Sequence, residues 1–309
     1  MRKGNISDEG IKYASEYYHN KSCKYICFKD GRLSVHTDKV HFFSVEDLNV
    51  VVMDNRQSKI SLYALDLLSE NGTTVIVCGS NHHPAGFLLP FGAYSRRLPM
   101  IKLQFSQSKP KLKRIWQQII RQKIKNQGKC LELAGKYDCV SGLADKVKSG
   151  DADNMEGYAA KVYFTKLFDD DFVRRDDSVA NSMLNYGYAV LRACIAKHIA
   201  VYGLEPSVGI FHHNEQNNFN LADDLLEVFR PVVDLFVSQY EITGIDELDT
   251  SAKSCLVELL MAEVIIKGMR QSVSYAMEQV VQGLVRVYRG EAENLDLPCI
   301  LPIKVHEYE

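Results

Sequence analysis

The hydrophobic positions change period about a third of the way along the chain. Residues 23–53 hold short strand-like runs: Lys24-Tyr-Ile-Cys-Phe-Lys, then Asp30-Gly31, then Arg-Leu-Ser-Val-His-Thr. An Asp-Gly pair supplies the positive φ of a tight turn, so these runs predict a β-hairpin. His41-Phe-Phe and Leu48-Asn-Val-Val-Val-Met predict two more strands, rich in β-branched and aromatic residues. Ser58 is placed to cap a helix from Lys59 to Glu70, with Ile60, Leu62, Ala64, Leu65 and Leu68 mostly on one side and Asn71-Gly72 as its stop. Thr73-Thr-Val-Ile-Val-Cys reads as another strand. From Ser80 to Pro110, His82-His83-Pro84, Gly86, Pro90, Gly92 and Pro99 favour turns and linker over long elements.

Beyond this stretch the period is helical. Leu112, Ile115, Trp116, Ile119, Ile120 and Ile124 line one side of a helix over 111–127. Asp153 with Glu156 three residues on fits a capping box at the start of another. A long helix over 179–202 should end at Gly203, before Pro206, and helices over 221–240, 252–267 and 272–289 complete the set. No internal repeat is present. The expectation is an α+β protein with a small β-rich N-terminal domain over 1–80, a linker over 81–110, and a larger all-α C-terminal domain over 111–309.

Composition adds little to this picture, and charge adds more. With 309 residues, 46% apolar and 25% charged, the chain is an ordinary globular protein. No apolar run approaches the roughly 20 residues of a membrane span. The first ten residues lack the apolar core of a signal peptide, so a cytoplasmic protein is expected, with no membrane partner. Eight scattered cysteines without a Cys-x-x-Cys pair fit free buried thiols better than zinc or disulfides. The net charge of −2 conceals a band over 101–130 that holds nine Lys/Arg and no acid. The predicted helix there carries Lys111, Lys113, Arg114, Arg121, Lys123 and Lys125 opposite its apolar stripe, with Lys109 just ahead. Such a face is either simply solvated or a surface for phosphates.

The densest candidate chemistry lies between Gly209 and Asp234. Asp224 and Glu227, three apart, share one helical face, and His212 lies just ahead. Hard carboxylate oxygens with one imidazole suit Mg²⁺ or Mn²⁺, the imidazole favouring Mn²⁺. Each residue also has a plainer reading. A lone histidine is often only a satisfied polar residue, Asp223 and Asp224 complement a helix dipole, and Glu227 can pair with Arg230. Pro231, inside the helical run, cannot donate to the carbonyl of Glu227 and should kink the helix there.

These residues carry a family resemblance. Gly-Ile-Phe-His212, followed by Phe-Asn-Leu-Ala-Asp-Asp224-Leu-Leu-Glu227-Val-Phe-Arg230-Pro231-Val-Val-Asp234, resembles the signature of the CRISPR-associated integrase family, Cas-one. Glu156-Gly-Tyr-Ala-Ala-Lys-Val-Tyr-Phe, Arg174-Arg175-x-Asp177 and Asn181-x-x-Leu184-Asn185-Tyr186-Gly187-Tyr188 match its other motifs, and Leu89-Pro90 with the Lys-rich helix looks like the form found in type II CRISPR systems. The resemblance implies a metal-dependent DNA integrase and endonuclease of spacer acquisition. Glu156, His212 and Glu227 fall on its metal-ligand and catalytic positions, with Asp224 as an auxiliary acid. His213 and Asp223 are adjacent alternatives, His212 being selected by the family's Gly-x-x-His spacing from Gly209.

The resemblance further implies homodimerisation through the N-terminal domain. Two such dimers flank a central dimer of the small Cas-two partner in a heterohexamer, and the type II effector nuclease is a further candidate partner. The substrates would be double-stranded DNA: a prespacer whose 3′-hydroxyls are joined by transesterification at the CRISPR leader–repeat junction. Lys109, Lys111, Lys113, Arg114, Arg121, Lys125, Arg174 and Arg175 are candidate phosphate contacts. Tyr186 or Tyr188 would either stack on a terminal base pair or pack in the core. The competing expectation is a non-catalytic DNA-binding scaffold of the acquisition complex, and a third is a nuclease that makes no joined product.

Overall fold

The computed structural model describes residues 17–20, 23–48, 50–80, 84–89, 97–168, 172–240 and 247–305. The chain divides into two compact units at Pro90/Phe91. His82, His83, Pro90, Gly92 and the N-terminal ten residues, all invoked above, lie outside the described residues.

The first unit is built from β1 (Tyr17–Asn20), β2 (Tyr25–Lys29), β3 (Arg32–His36), β4 (Val40–Phe43), β5 (Val50–Met53), β6 (Lys59–Ile60), α1 (Leu62–Glu70), β7 (Thr74–Cys78) and β8 (Pro84–Leu88). The hairpin forms as its sequence dictates. Asp30 and Gly31 adopt φ of 52° and 77°, and Tyr25 to Lys29 pair in antiparallel register with His36 to Arg32. The strands make two four-stranded sheets, ordered β4-β3-β2-β6 and β1-β5-β7-β8. Alternating residues of β2 and β3, with Val51, Val75 and the Ala64/Leu68 face of α1, bury one cluster.

Two expectations for this unit need correction. Helix α1 is capped by Ser61, whose hydroxyl accepts from the amide of Ala64, while Ser58 instead donates to the carbonyl of Cys23. Both serines satisfy the rule for a cap; the pairing of Lys59 and Ile60 with Tyr25 and Ile26 as a short strand takes Ser58 out of the helix. The expected linker also contains structure: β8 pairs antiparallel with β7 over Pro84 to Leu88, and helix α2 occupies Arg97–Phe105 despite Pro99. Proline within the first helical turn forfeits no hydrogen bond, so its presence does not stop a helix from starting there.

The second unit continues with α3 (Lys109–Leu133), α4 (Met155–Phe168), α5 (Val179–Val201), α6 (Asn220–Leu226), α7 (Arg230–Gln239), α8 (Thr250–Glu258), β9 (Ala262–Ile266), β10 (Met269–Ser272), α9 (Val273–Arg289) and β11 (Cys299–Val305). It is mostly helical but not all-α. The expected helix 252–267 ends at Glu258, and Ala262–Ile266 becomes the middle strand of a three-stranded antiparallel sheet, β10-β9-β11. Val264, Ile265 and Ile266 favour a strand, and Lys267-Gly268, with φ of 52° and 77°, makes a tight hairpin turn. The long α5 is the hub, packed against α6, α7, α8 and α9.

Gly187 permits a close approach of α5 to α7: a Cβ there would lie 2.6 Å from Cγ1 of Val233. Because the Val233 side chain is stiff, Gly187→Ala should lower stability by about 1–3 kcal/mol, readable as a drop in melting temperature. All eight cysteines are free thiols. Among the described residues no helix is long and apolar enough to cross a membrane.

Candidate active site

Four segments of the second unit bring their acidic and basic residues to one place. Lys123 comes from α3, where Trp116, Ile119, Ile120, Lys123 and Gln127 recur at three- and four-residue steps and are all buried. The lysine therefore belongs to the inward face of the helix, not to the exposed basic face expected of it. Its ammonium stands 2.6 Å from Oε1 of Glu156 and 2.5 Å from Oε2 of Glu227.

Glu156 is held in the first turn of α4 by a cap different from the expected box. Asp151, in the left-handed region, accepts from the amides of Met155 and Glu156. Asp153 points away to Lys148, at 2.7 Å. Glu227 lies in the break between α6 and α7, where the expected single helix 221–240 becomes two. Pro231 stands in the first turn of α7, where its missing N–H removes no helical bond, so the bend falls at the carboxylate itself. Arg230 donates from Nε to Oε1 of Glu227 at 2.9 Å, and its guanidinium lies 4.5 Å from the ring centre of Tyr188.

His212 is positioned by Asp224. That fully buried carboxylate accepts from the backbone amides of Ile210, Phe211 and His212, and from Nδ1 of the His212 ring at 2.6 Å. With the Nδ1 proton committed there, Nε2 keeps its lone pair. Gly209 makes this turn possible, since a Cβ there would fall 2.2 Å from the carbonyl oxygen of His212 and 2.8 Å from Oδ2 of Asp224. Trp116 stacks flat on Phe211 at 4.4 Å and meets the His212 ring edge-on at 5.6 Å.

The electrostatics are those of a coupled cluster. Burial would raise the Glu227 pKa, but Arg230 and Lys123 override it and hold the carboxyl at about 2. Burial likewise works against the Lys123 ammonium, and Glu227 and Glu156 outweigh it, so its pKa stands above the ordinary value. The His212 pKa is raised chiefly by its hydrogen bond to Asp224, against its partial burial, with further support from the charges of Asp224, Glu227 and Glu156.

Glu156, His212 and Glu227, far apart in sequence, thus share one electrostatic site. Among the described residues, however, no three His, Cys, Asp or Glu side chains converge on a common metal position. The geometry says why: Lys123 stands between the two glutamates. The donors nonetheless suit a hard divalent cation. Two carboxylates already grip a positive charge, with Oε2 of the buried Glu227 set against the Lys123 ammonium. Of the adjacent alternatives, His213 is exposed, and Asp223 accepts from Asn217 at 2.7 Å on the rim.

The candidate phosphate contacts divide. Lys109, Lys113, Arg114, Lys125 and Arg175 are exposed. Lys111 donates to the carbonyl of Tyr288, Arg121 to that of Val147, and Arg174 to the side chains of Asn181 and Asn185. Tyr186 and Tyr188 are buried, and the hydroxyl of Tyr188 donates to Asp234, which also accepts from Tyr163 at 3.0 Å. The tyrosines therefore pack and are not stacking platforms. Lys123 and the Trp116–Phe211 stack were missed in the sequence reading, although the helical register of Lys123 was a usable signal.

A β-rich unit followed by a mostly helical unit defines the fold class. It is shared with a casposase bound to its integration product (TM-score 0.72, 21% identity, 88% of this chain and 90% of that one) and with a Cas1 protein from Thermotoga maritima (TM-score 0.70, 19% identity, 89% and 97%). The family described as CRISPR associated protein Cas1 matches residues 17–244. The CRISPR-associated endonuclease Cas1 of Neisseria meningitidis serogroup C (strain 8013) is 38% identical over 275 residues, spanning 87% of this chain and 90% of its own. The chain belongs to the Cas1 family.

Proposed function

We propose that the chain is a metal-dependent DNA integrase and endonuclease of CRISPR adaptation, which joins the 3′-hydroxyl ends of prespacer DNA into the CRISPR array. The observation that carries this reading is the Glu156–Lys123–Glu227 bridge beside an Asp224-held His212, in a member of a family whose N. meningitidis relative is named an endonuclease. Glu156, Glu227 and Nε2 of His212 are the groups that would hold Mg²⁺ or Mn²⁺. A divalent ion there would polarise the target phosphodiester and favour the alkoxide of the attacking 3′-hydroxyl.

The protein's own part is positioning. Asp224 fixes the tautomer and tilt of His212, Arg230 fixes the carboxylate plane of Glu227, and the Trp116–Phe211 stack walls the site on one side. No protein nucleophile is required. The exposed Lys109, Lys113, Arg114 and Lys125 would contact duplex phosphates, as would Arg175. Dimerisation through the N-terminal unit and assembly with a Cas-two dimer belong to the same reading.

The test is a strand-transfer assay with a short duplex, the Cas-two partner, Mn²⁺ and a supercoiled plasmid carrying the CRISPR array. Joined product is expected from duplexes ending in 3′-hydroxyl and none from duplexes ending in 3′-deoxyribose. Cleavage indifferent to the 3′ end would identify a nuclease that joins nothing, and binding with neither product would identify a scaffold.

A further inference from the structure

We propose that Lys123 is a built-in counterion of the site, occupying the space between Glu156 and Glu227 until a divalent metal displaces it, and thereby setting how tightly the metal is held. The inference rests on the metal-site reading above and adds to it a residue that the motifs do not mark.

Three observations carry it. The Lys123 side chain is almost wholly buried, at 8% exposure, although lysine is rarely buried without a paired charge, and its Nζ is within 2.6 Å of both carboxylates. Second, Lys123 donates to Oε1 of Glu156 and stands 2.5 Å from Oε2 of Glu227, so it spans the same two oxygens that a cation between them would need. Third, the charges balance without a metal: two carboxylates, Glu156 and Glu227, face two cations, Lys123 and Arg230. Arg230 is secured by its bond to Oε1 of Glu227 and by the Tyr188 ring, whereas Lys123 hangs on a flexible four-carbon stem.

A divalent cation held by the same oxygens cannot coexist with an ammonium at hydrogen-bond distance from both, on grounds of space and of like charge. Lys123 is the cation free to swing aside. Metal binding is then an exchange of one cation for another, weaker than the bare carboxylates would give, and the metal-free protein is spared an uncompensated acid pair of which Glu227 is buried.

The test is calorimetric titration of Mn²⁺ into the metal-free full-length protein, alongside melting temperatures with and without Mn²⁺. Lys123→Met keeps most of the side-chain volume and removes the charge. It should bind Mn²⁺ more tightly by about tenfold or more, melt at a lower temperature without metal, and gain more on adding it. Lys123→Gln, which keeps a hydrogen-bond donor, serves if the Met variant does not fold, and should shift in the same direction.

Wild-type affinity in the folded Lys123 variants, or weaker binding, would overturn the inference while leaving the metal site standing, provided Glu227→Gln still weakens binding. Binding that Glu227→Gln leaves untouched, or no binding by any of the proteins, would overturn both.

Discussion

Glu227→Gln should reduce joined product by about a thousandfold or more, because several kcal/mol of transition-state stabilisation depend on the charge at that position and each 1.36 kcal/mol is a factor of ten. The amide keeps the volume of the carboxylate but not its charge, and three things fail together. Lys123 loses one of two anionic partners, Arg230 keeps an acceptor but loses its counter-charge, and a divalent ion would lose an anionic ligand.

Because removing one member of a buried ion pair costs about 3–5 kcal/mol of stability, the assay belongs well below the variant's melting temperature. Single-turnover strand transfer is the measurement, with Asp223→Asn as the control expected to keep most activity, since Asp223 sits on the rim with Asn217. Equal product from wild type and Glu227→Gln would remove Glu227 from the chemistry.

Replacing His198 should make the protein markedly more resistant to acid. His198 is buried in α5 with Cys194 Sγ 3.7 Å from Nε2, and burial, aided by the charge of Lys197, pushes its pKa from 6.5 down to about 3. Its folded value is depressed, so the stability it confers is fully present above pH 6.5 and is lost as pH falls through about 3. Across that window the neutral ring has to be kept neutral against a chain that would charge it when unfolded, a difference of about 4–5 kcal/mol at 1.36 per unit.

Asp234 works in the opposite sense. Burial, against the hydrogen bonds from Tyr188 and Tyr163, raises its carboxyl from 3.8 to about 6, so its contribution is present below pH 3.8 and lost as pH rises through about 6. The comparison therefore has to be between proteins. In wild type against His198→Leu, unfolding free energies should nearly agree at pH 7.5 and diverge in the variant's favour as pH falls from 6.5 towards 3. Parallel curves would show that His198 titrates as an exposed histidine does.

What could be read from the residues, and what could not, follows from the range over which each feature is decided. The Asp30-Gly31 hairpin, the Asn71-Gly72 stop and the end of α5 at Gly203 are settled by a few neighbouring residues, and the structure has them where the chain says. Ser58 against Ser61, and Asp153 against Asp151, are choices between equivalent caps, settled by what the segment pairs with elsewhere. The stretch 252–267 went astray because Ala252 to Leu260 continues into Val264-Ile-Ile without a break in hydrophobicity, and only Lys267-Gly268 betrays the hairpin.

At the site, the family motifs identify side chains of the right chemistry, and the structure gathers them within electrostatic reach of one another. Lys123 is the instructive omission. Counting bases along α3 assigned it to a charged face, but its spacing from Trp116, Ile119 and Ile120 puts it in the apolar stripe, where a charge must find a partner.

The bridge from Glu156 through Lys123 to Glu227 also fixes when, during synthesis, its charges can be complete. Its members enter the growing chain in the order Lys123, Glu156, Glu227, and the last follows the first by more than a hundred residues. A ribosome-bound chain that has released α3 and α4 holds one ammonium and one carboxylate, a pair that neutralises itself. Only when the α6–α7 break emerges does a second acid join the ammonium, with Arg230 three residues behind it. The charge cluster is in this way complete only once most of the helical unit has left the ribosome.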